Sequence, residues 1–106
     1  EDIKSEQIYI KEWDAKLEIR GLTGRQRGIY LQDVIDAKTG KMDFQKMYPM
    51  LVVMSVYDPE TKEPVFKMGD VDAIAGKSGA ALEQLAQVAQ RLSGLDSEAI
   101  GEAEKN

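Results

Sequence analysis

The chain has neither cysteine nor histidine among its 106 residues. Without them there is no thiolate nucleophile, no imidazole general base, no disulfide framework and no Cys/His zinc site. Carboxylates, Lys, Tyr, Ser and Thr remain as the chemical menu. A cysteine-free chain suits a reducing cytoplasm, although cysteine-free secreted domains exist. No apolar run approaches 18 residues and no charged, apolar, small-residue leader is present, so neither a membrane span nor a signal peptide is expected. Net positive charge is missing too. The formal charge is −5, with nine Lys/Arg against nine Asp/Glu in residues 1–56 and five against ten in residues 57–106. Phosphate contacts supply most non-specific affinity for nucleic acid, so a neutral half joined to an acidic one argues against DNA or RNA as a partner. At this length folding removes roughly 60–65% of the extended surface from water, enough for one modest core and little for a deep catalytic cleft. A single domain over 1–106 is expected, and a large enzyme is not.

What is present has periodicity. Residues 1–7 (EDIKSEQ) are polar apart from one Ile and read as a loose lead-in. From Trp13 the chain alternates: Trp13, Ala15, Leu17 and Ile19 are apolar, while Asp14, Lys16, Glu18 and Arg20 are charged. That is the period of a half-buried strand, predicted over 13–20. Ile8 and Ile10 have the opposite parity, so a strand starting near Ile8 needs a bulge or turn before Trp13 to keep one buried face.

Gly21 closes that strand, and Thr23-Gly24-Arg25-Gln26 reads as a capping box. The helix that follows is predicted to reach about residue 37, with Ile29, Tyr30, Leu31, Val34 and Ile35 on one face and Lys38-Thr39-Gly40 as its stop. Asp43 can cap a second helix to about residue 57, apolar over most of its circumference and therefore enclosed by neighbours. Its β-branched content also permits a strand over 51–57, and Pro49 either kinks the helix or marks its start. Residues 58–62 form a turn, and Pro64-Val65-Phe66 is a short apolar run able to pair with the first strand. Asp70 opens a short helix to about residue 76. Ser78 opens a longer one over 79–93, with Leu82, Leu85, Ala89 and Leu92 in a stripe and Gly94 as its stop. Asp96 caps an acidic last helix over 96–106. The expected fold is α+β and mostly helical, with short antiparallel strands packed against four to five helices.

Several local patterns invite a chemical reading. Gly76-Lys77-Ser78 repeats the end of a phosphate-binding P-loop, in which glycine-rich amides and a lysine cradle a triphosphate. The spacing fails, because Val71 stands where the first glycine belongs and Gly69 is two residues too far; an inter-helix turn is the better reading. Asp33/Asp36 and Asp70/Asp72 are pairs, and two carboxylates are too few for a hard cation. The first pair reads as solvated charge one turn apart on a helix, the second as first-turn acids favoured by the macrodipole. No catalytic residue, metal or cofactor is implied. Arg20, Arg25 and Arg27 gather at the strand-to-helix junction, where a solvated surface competes with an electrostatic contact to an acidic one, such as the acidic last helix of a neighbouring copy. Met42 and Met47 serve equally as core filling or as an adaptable recognition surface, whereas Met50 and Met54 read as core. The stripe of Leu82, Leu85, Ala89 and Leu92 is core packing first, with its exposed edge a candidate contact.

The order of segments resembles the tail assembly chaperones of long-tailed phages and prophages. A strand ending in LEIRGLTGRQR, the apolar MYPMLVVMSVYDPETKEPVFKMGDVDAIAGKS and the closing AALEQLAQVAQRLSGLDSEAIGEAEKN carry the resemblance over residues 13–106. It implies a non-enzymatic protein of the host bacterial cytoplasm that binds the tape measure protein, keeps it soluble, helps to recruit major tail protein and is absent from the finished virion. The physics suits that role. An extended helical chain with apolar stripes self-associates unless covered, and its cover needs apolar contacts, a charged exterior and many copies. Head-to-tail association would arrange those copies in a ring or spiral. The resemblance supplies no residue-level site. The rival classes are a structural tail component retained in the virion, a nucleotide binder built on Gly76-Lys77-Ser78, and a regulatory domain.

Overall fold

The alternating segment does form a strand, and the polar residues before it are its partner. The computed structural model describes residues 3–95. Strands β1 (Ser5–Ile10) and β2 (Ala15–Arg20) make an antiparallel hairpin in which Ile10 faces Ala15, Ile8 faces Leu17 and Glu6 faces Ile19. A 3₁₀ turn, Lys11–Trp13, links them and is closed by Asp14 in the left-handed region at φ 45°. This turn meets the parity requirement: it resets the pleat so that Ile8 and Ile10 share a face with Ala15, Leu17 and Ile19. The lead-in expected at 1–7 is thus corrected at Ser5, Glu6 and Gln7. Backbone pairing with β2 makes them strand, and their polar side chains conceal it. Trp13 sits in the turn, where its ring meets Phe66 edge-on at 6.4 Å between centroids.

The capping box forms as expected. The Gln26 amide donates to Thr23 Oγ1 at 3.1 Å, and the Thr23 amide donates to Gln26 Oε1 at 2.9 Å. Helix α1 is Gly24–Val34, shorter than predicted because Asp36 captures the chain. Its Oδ1 accepts the amides of Lys38 (2.7 Å) and Thr39 (3.2 Å), a local turn that outcompetes helix continuation. Ile35 then bridges to Met42. Asp33 and Asp36 therefore do not share a helix surface.

Asp43 caps helix α2 (Phe44–Ser55) through the Gln45 amide at 3.0 Å. Pro49 lies inside this helix and is buried; it is not the start. Met50, Leu51, Val52 and Val53 are all buried, and α2 packs against α1 and against the helices that follow it in the chain. The helix stops at Ser55. Val56 and Tyr57 leave it as strand β3 (Val56–Tyr57), paired antiparallel with β2 through Ile19↔Val56 and Glu18↔Tyr57. The β-branched end of the segment is therefore strand, as one of the two readings allowed, because β2 offers an open edge there. The sheet order is β1-β2-β3.

Residues 58–62 turn as expected, with Asp58 Oδ1 accepting the amides of Glu60 (2.7 Å) and Thr61 (3.1 Å) and Lys62 at φ 66°. Pro64 then bridges to Tyr57, and the Val65 amide donates to the Val56 carbonyl at 3.1 Å. The apolar run folds back on β3 rather than on the strand predicted over 13–20. Helix α3 (Val71–Ala75) follows a 3₁₀ turn at Met68–Asp70, and Ser78 caps helix α4 (Gly79–Ser93), which Gly94 ends at φ 71°. Helix α4 covers the inner face of the sheet: Ile10, Leu17 and Ile19 share a core with Leu82, Leu85, Ala86 and Ala89 of α4 and with Leu51 and Val52 of α2. The fold is α+β, with four α-helices and one antiparallel sheet among the described residues. The acidic helix expected at 96–106 lies outside them.

Candidate interaction surface

Strand alternation puts Ser5, Gln7 and Tyr9 of β1, Lys16, Glu18 and Arg20 of β2, and Tyr57 of β3 on the sheet face opposite α4. Glu18 lies at its centre and is only 6% exposed. Lys62 Nζ donates to its Oε1 at 2.8 Å and Arg20 Nε to its Oε2 at 2.7 Å. These two cations, Lys62 foremost, hold the Glu18 carboxyl below the usual carboxylate range against the opposing effect of burial. Arg20 also lies 4.0 Å from the centre of the Tyr57 ring and donates from Nη2 to the Lys62 carbonyl at 3.3 Å. Glu18, Tyr57 and Lys62 thus form a network that the alternation pattern consigned to solvent. Glu18 and Arg20, two apart on one strand face, were the available signal; the reach of Lys62 from 44 residues away leaves no local trace.

Beside this network is an open cleft of about 340 Å³, lined by Ile3, Ser5, Arg20, Gly21, Thr23, Gln26 and Tyr57. Arg25 and Arg27 stand exposed on the first turns of α1, where the macrodipole favours acids and the first turn has none. At about 100° per residue they project to either side of Gln26. The three arginines therefore do not make one contiguous patch: Arg20 lines the cleft and is already engaged within the molecule, and Arg25 and Arg27 are exposed on α1 beside Gln26.

The helix α4 candidates are largely withdrawn from the surface. Leu82, Leu85 and Ala89 are buried and Leu92 is half-buried against the core, because the stripe faces the sheet and α2. Their core reading holds, and their use as an exposed contact edge is corrected. Outward, α4 presents Glu83, Gln84, Gln87 and Arg91, and Arg91 Nη2 pairs with Glu6 Oε1 at 2.9 Å. Met42 and Met47 are half-buried and packed against the core. The Met47 carbonyl accepts the Tyr30 hydroxyl at 3.1 Å; burial, with Tyr48 nearby, pushes the Tyr30 pKa up to about 12.

Apolar exposure lies elsewhere. Phe44, directly after the α2 cap, is 75% exposed, and Met68 and Ile29 are 49% and 44% exposed. Ile29 was expected on the buried face of α1. Tyr30 and Val34, four apart, face the core, and Ile29 falls off that stripe by one residue. Gly76-Lys77-Ser78 is an inter-helix turn: Gly76 ends α3, Lys77 is exposed, and Ser78 Oγ accepts the Ala81 amide at 3.3 Å. Asp70 is likewise a local cap, its Oδ2 accepting the Lys67 amide at 2.8 Å.

No protein-family model and no curated protein matches the chain. Among solved structures, that of the bacteriophage HK97 tail assembly chaperone is similar, with a TM-score of 0.65, 20% sequence identity, and coverage of 85% of this chain and 81% of that one. The hairpin, the central apolar helix and the long helix on the sheet are thus arranged as in a known fold: the chain has the fold of the HK97 tail assembly chaperone.

Proposed function

We propose that this chain is a phage tail assembly chaperone: a non-catalytic binding protein that engages the tape measure protein, keeps it soluble and helps to recruit major tail protein. The observation that carries this reading is a shared fold over most of both chains, reached independently of the segments over 13–106 that resemble the same family. On this reading the protein works in the host cytoplasm, is absent from the mature virion, and associates with itself in a ring or spiral along its client.

The surface chemistry is consistent with such work. Client contact would fall to apolar side chains that folding leaves exposed, Phe44 foremost, instead of to the buried leucines of α4. Repeated weak contacts along one extended chain add up to firm retention. Co-expression with the cognate tape measure protein is the test: the client is expected in the soluble fraction only when this chain is present, and Phe44→Ser is expected to reduce that fraction while leaving the chaperone folded. Mass spectrometry of purified particles should find the chain missing. A stoichiometric virion band would replace this reading with that of a structural tail component, and a client whose solubility ignores the chain would remove it.

A further inference from the structure

We propose that the cleft at the β2–α1 junction is the docking surface for the acidic segment 96–106 of the same chain. The segment is delivered close by. Leu95 is buried in the core that also holds Leu22, and the Leu22 amide donates to Ser93 Oγ at 2.8 Å. Gly21, part of the cleft wall, lies so near the last turn of α4 that a Cβ there would come within 2.4 Å of the Leu92 carbonyl oxygen. From Leu95, Ile100 is five residues on, a reach of roughly 17 Å extended or 7–8 Å helical.

Charge and shape agree with that delivery. Arg20 lines the cleft, Arg25 and Arg27 are exposed on α1 on either side of Gln26, which also lines it, and none of the described residues lining it is a carboxylate. Arg20 uses Nε and Nη2 inside the fold, and its guanidinium retains further donors for a second carboxylate. The segment DSEAIGEAEKN carries four carboxylates against one lysine, and Ile100 is its one large apolar side chain, between Glu98 and Glu102. Ile3 and the Tyr57 ring give the cleft an apolar wall for one such side chain. Tethering supplies an effective concentration of order mM, so individually weak contacts suffice. Docked there, the segment places its acids where an acidic partner's would have to go. This inference does not depend on the chaperone reading.

The absence of native cysteine makes the test clean. A spin label on Ala103→Cys in the full-length, isotope-labelled protein is expected to suppress the amide signals of Arg20, Thr23, Gln26 and Tyr57. The loss should be reversed by Arg25→Glu/Arg27→Glu, whose exposed sites leave core signals in place, and by about 1 M salt, where the screening length falls to roughly 3 Å. No suppression at these residues would overturn the proposal, and so would suppression unchanged in the double variant. Suppression that persists at the same residues in a mixture of spin-labelled unenriched and label-free enriched protein would overturn it in favour of a second copy as the occupant.

Discussion

Strand β2 is buried on both sides by opposite means. Inward, Leu17 and Ile19 meet the leucines and alanines of α4, and water is excluded by apolar area. Outward, Glu18 is as deeply buried as Leu17, yet it is enclosed by a lysine, an arginine and a tyrosine ring. The inner face is close-packed and intolerant of changed volume. The outer face depends on charge. The same strand thus presents a face that makes the fold and a face that is free to be functional.

The sharpest way to test that division is to remove volume from the inner face. Leu85→Ala, at a fully buried site, is expected to destabilise the protein by about 3–4 kcal/mol in urea unfolding, from lost transfer energy and the residual cavity. Gly21→Ala adds one carbon 2.4 Å from the Leu92 carbonyl oxygen and should destabilise by about 2–3 kcal/mol through overpacking; a loss below about 0.5 kcal/mol would mean that the junction gives way. On the outer face, Glu18→Gln keeps the shape and deletes the charge. The expected loss is about 1–2 kcal/mol, reduced by solvent screening because Lys62 and Arg20 remain partly exposed.

The pH dependence should separate the faces further. Glu18 titrates below its ordinary value of 4.5 in the folded state, so its stabilisation is complete above that value and fades as pH falls through the lower folded value. Glu18→Gln should therefore flatten the acid limb of the stability curve, and Leu85→Ala should leave the shape of that limb unchanged. The smallest effect belongs to Lys62→Met, about 0.5 kcal/mol, since that side chain is more than half exposed. A loss above 2 kcal/mol there would mean that the outer face is as rigidly specified as the inner one.

The inner face was the part legible in the sequence. Alternation along β2, the leucine stripe of α4, the Thr23 and Asp43 caps and the Gly94 stop each report a local rule that the fold obeys. β1 was hidden because Ser5 and Gln7 become strand through backbone pairing, to which their side chains contribute no apolar signal. The end of α1 was misplaced because Asp36 serves a turn better than it serves a helix. Among the site candidates, Arg20 was visible as a cation two residues from Glu18, but its engagement with Tyr57 and the Lys62 carbonyl depends on a segment more than 30 residues downstream. Phe44 was passed over because its exposure follows from where α2 docks.

Gly21 and Leu22 touch Leu92 and Ser93 across 71 residues of sequence, backbone against backbone and amide to hydroxyl. The start of α1 and the last turn of α4 consequently cannot fray separately. In a hydrogen-exchange experiment their amides should open as one cooperative unit, with a shared rate that answers to any strain applied beyond Leu95.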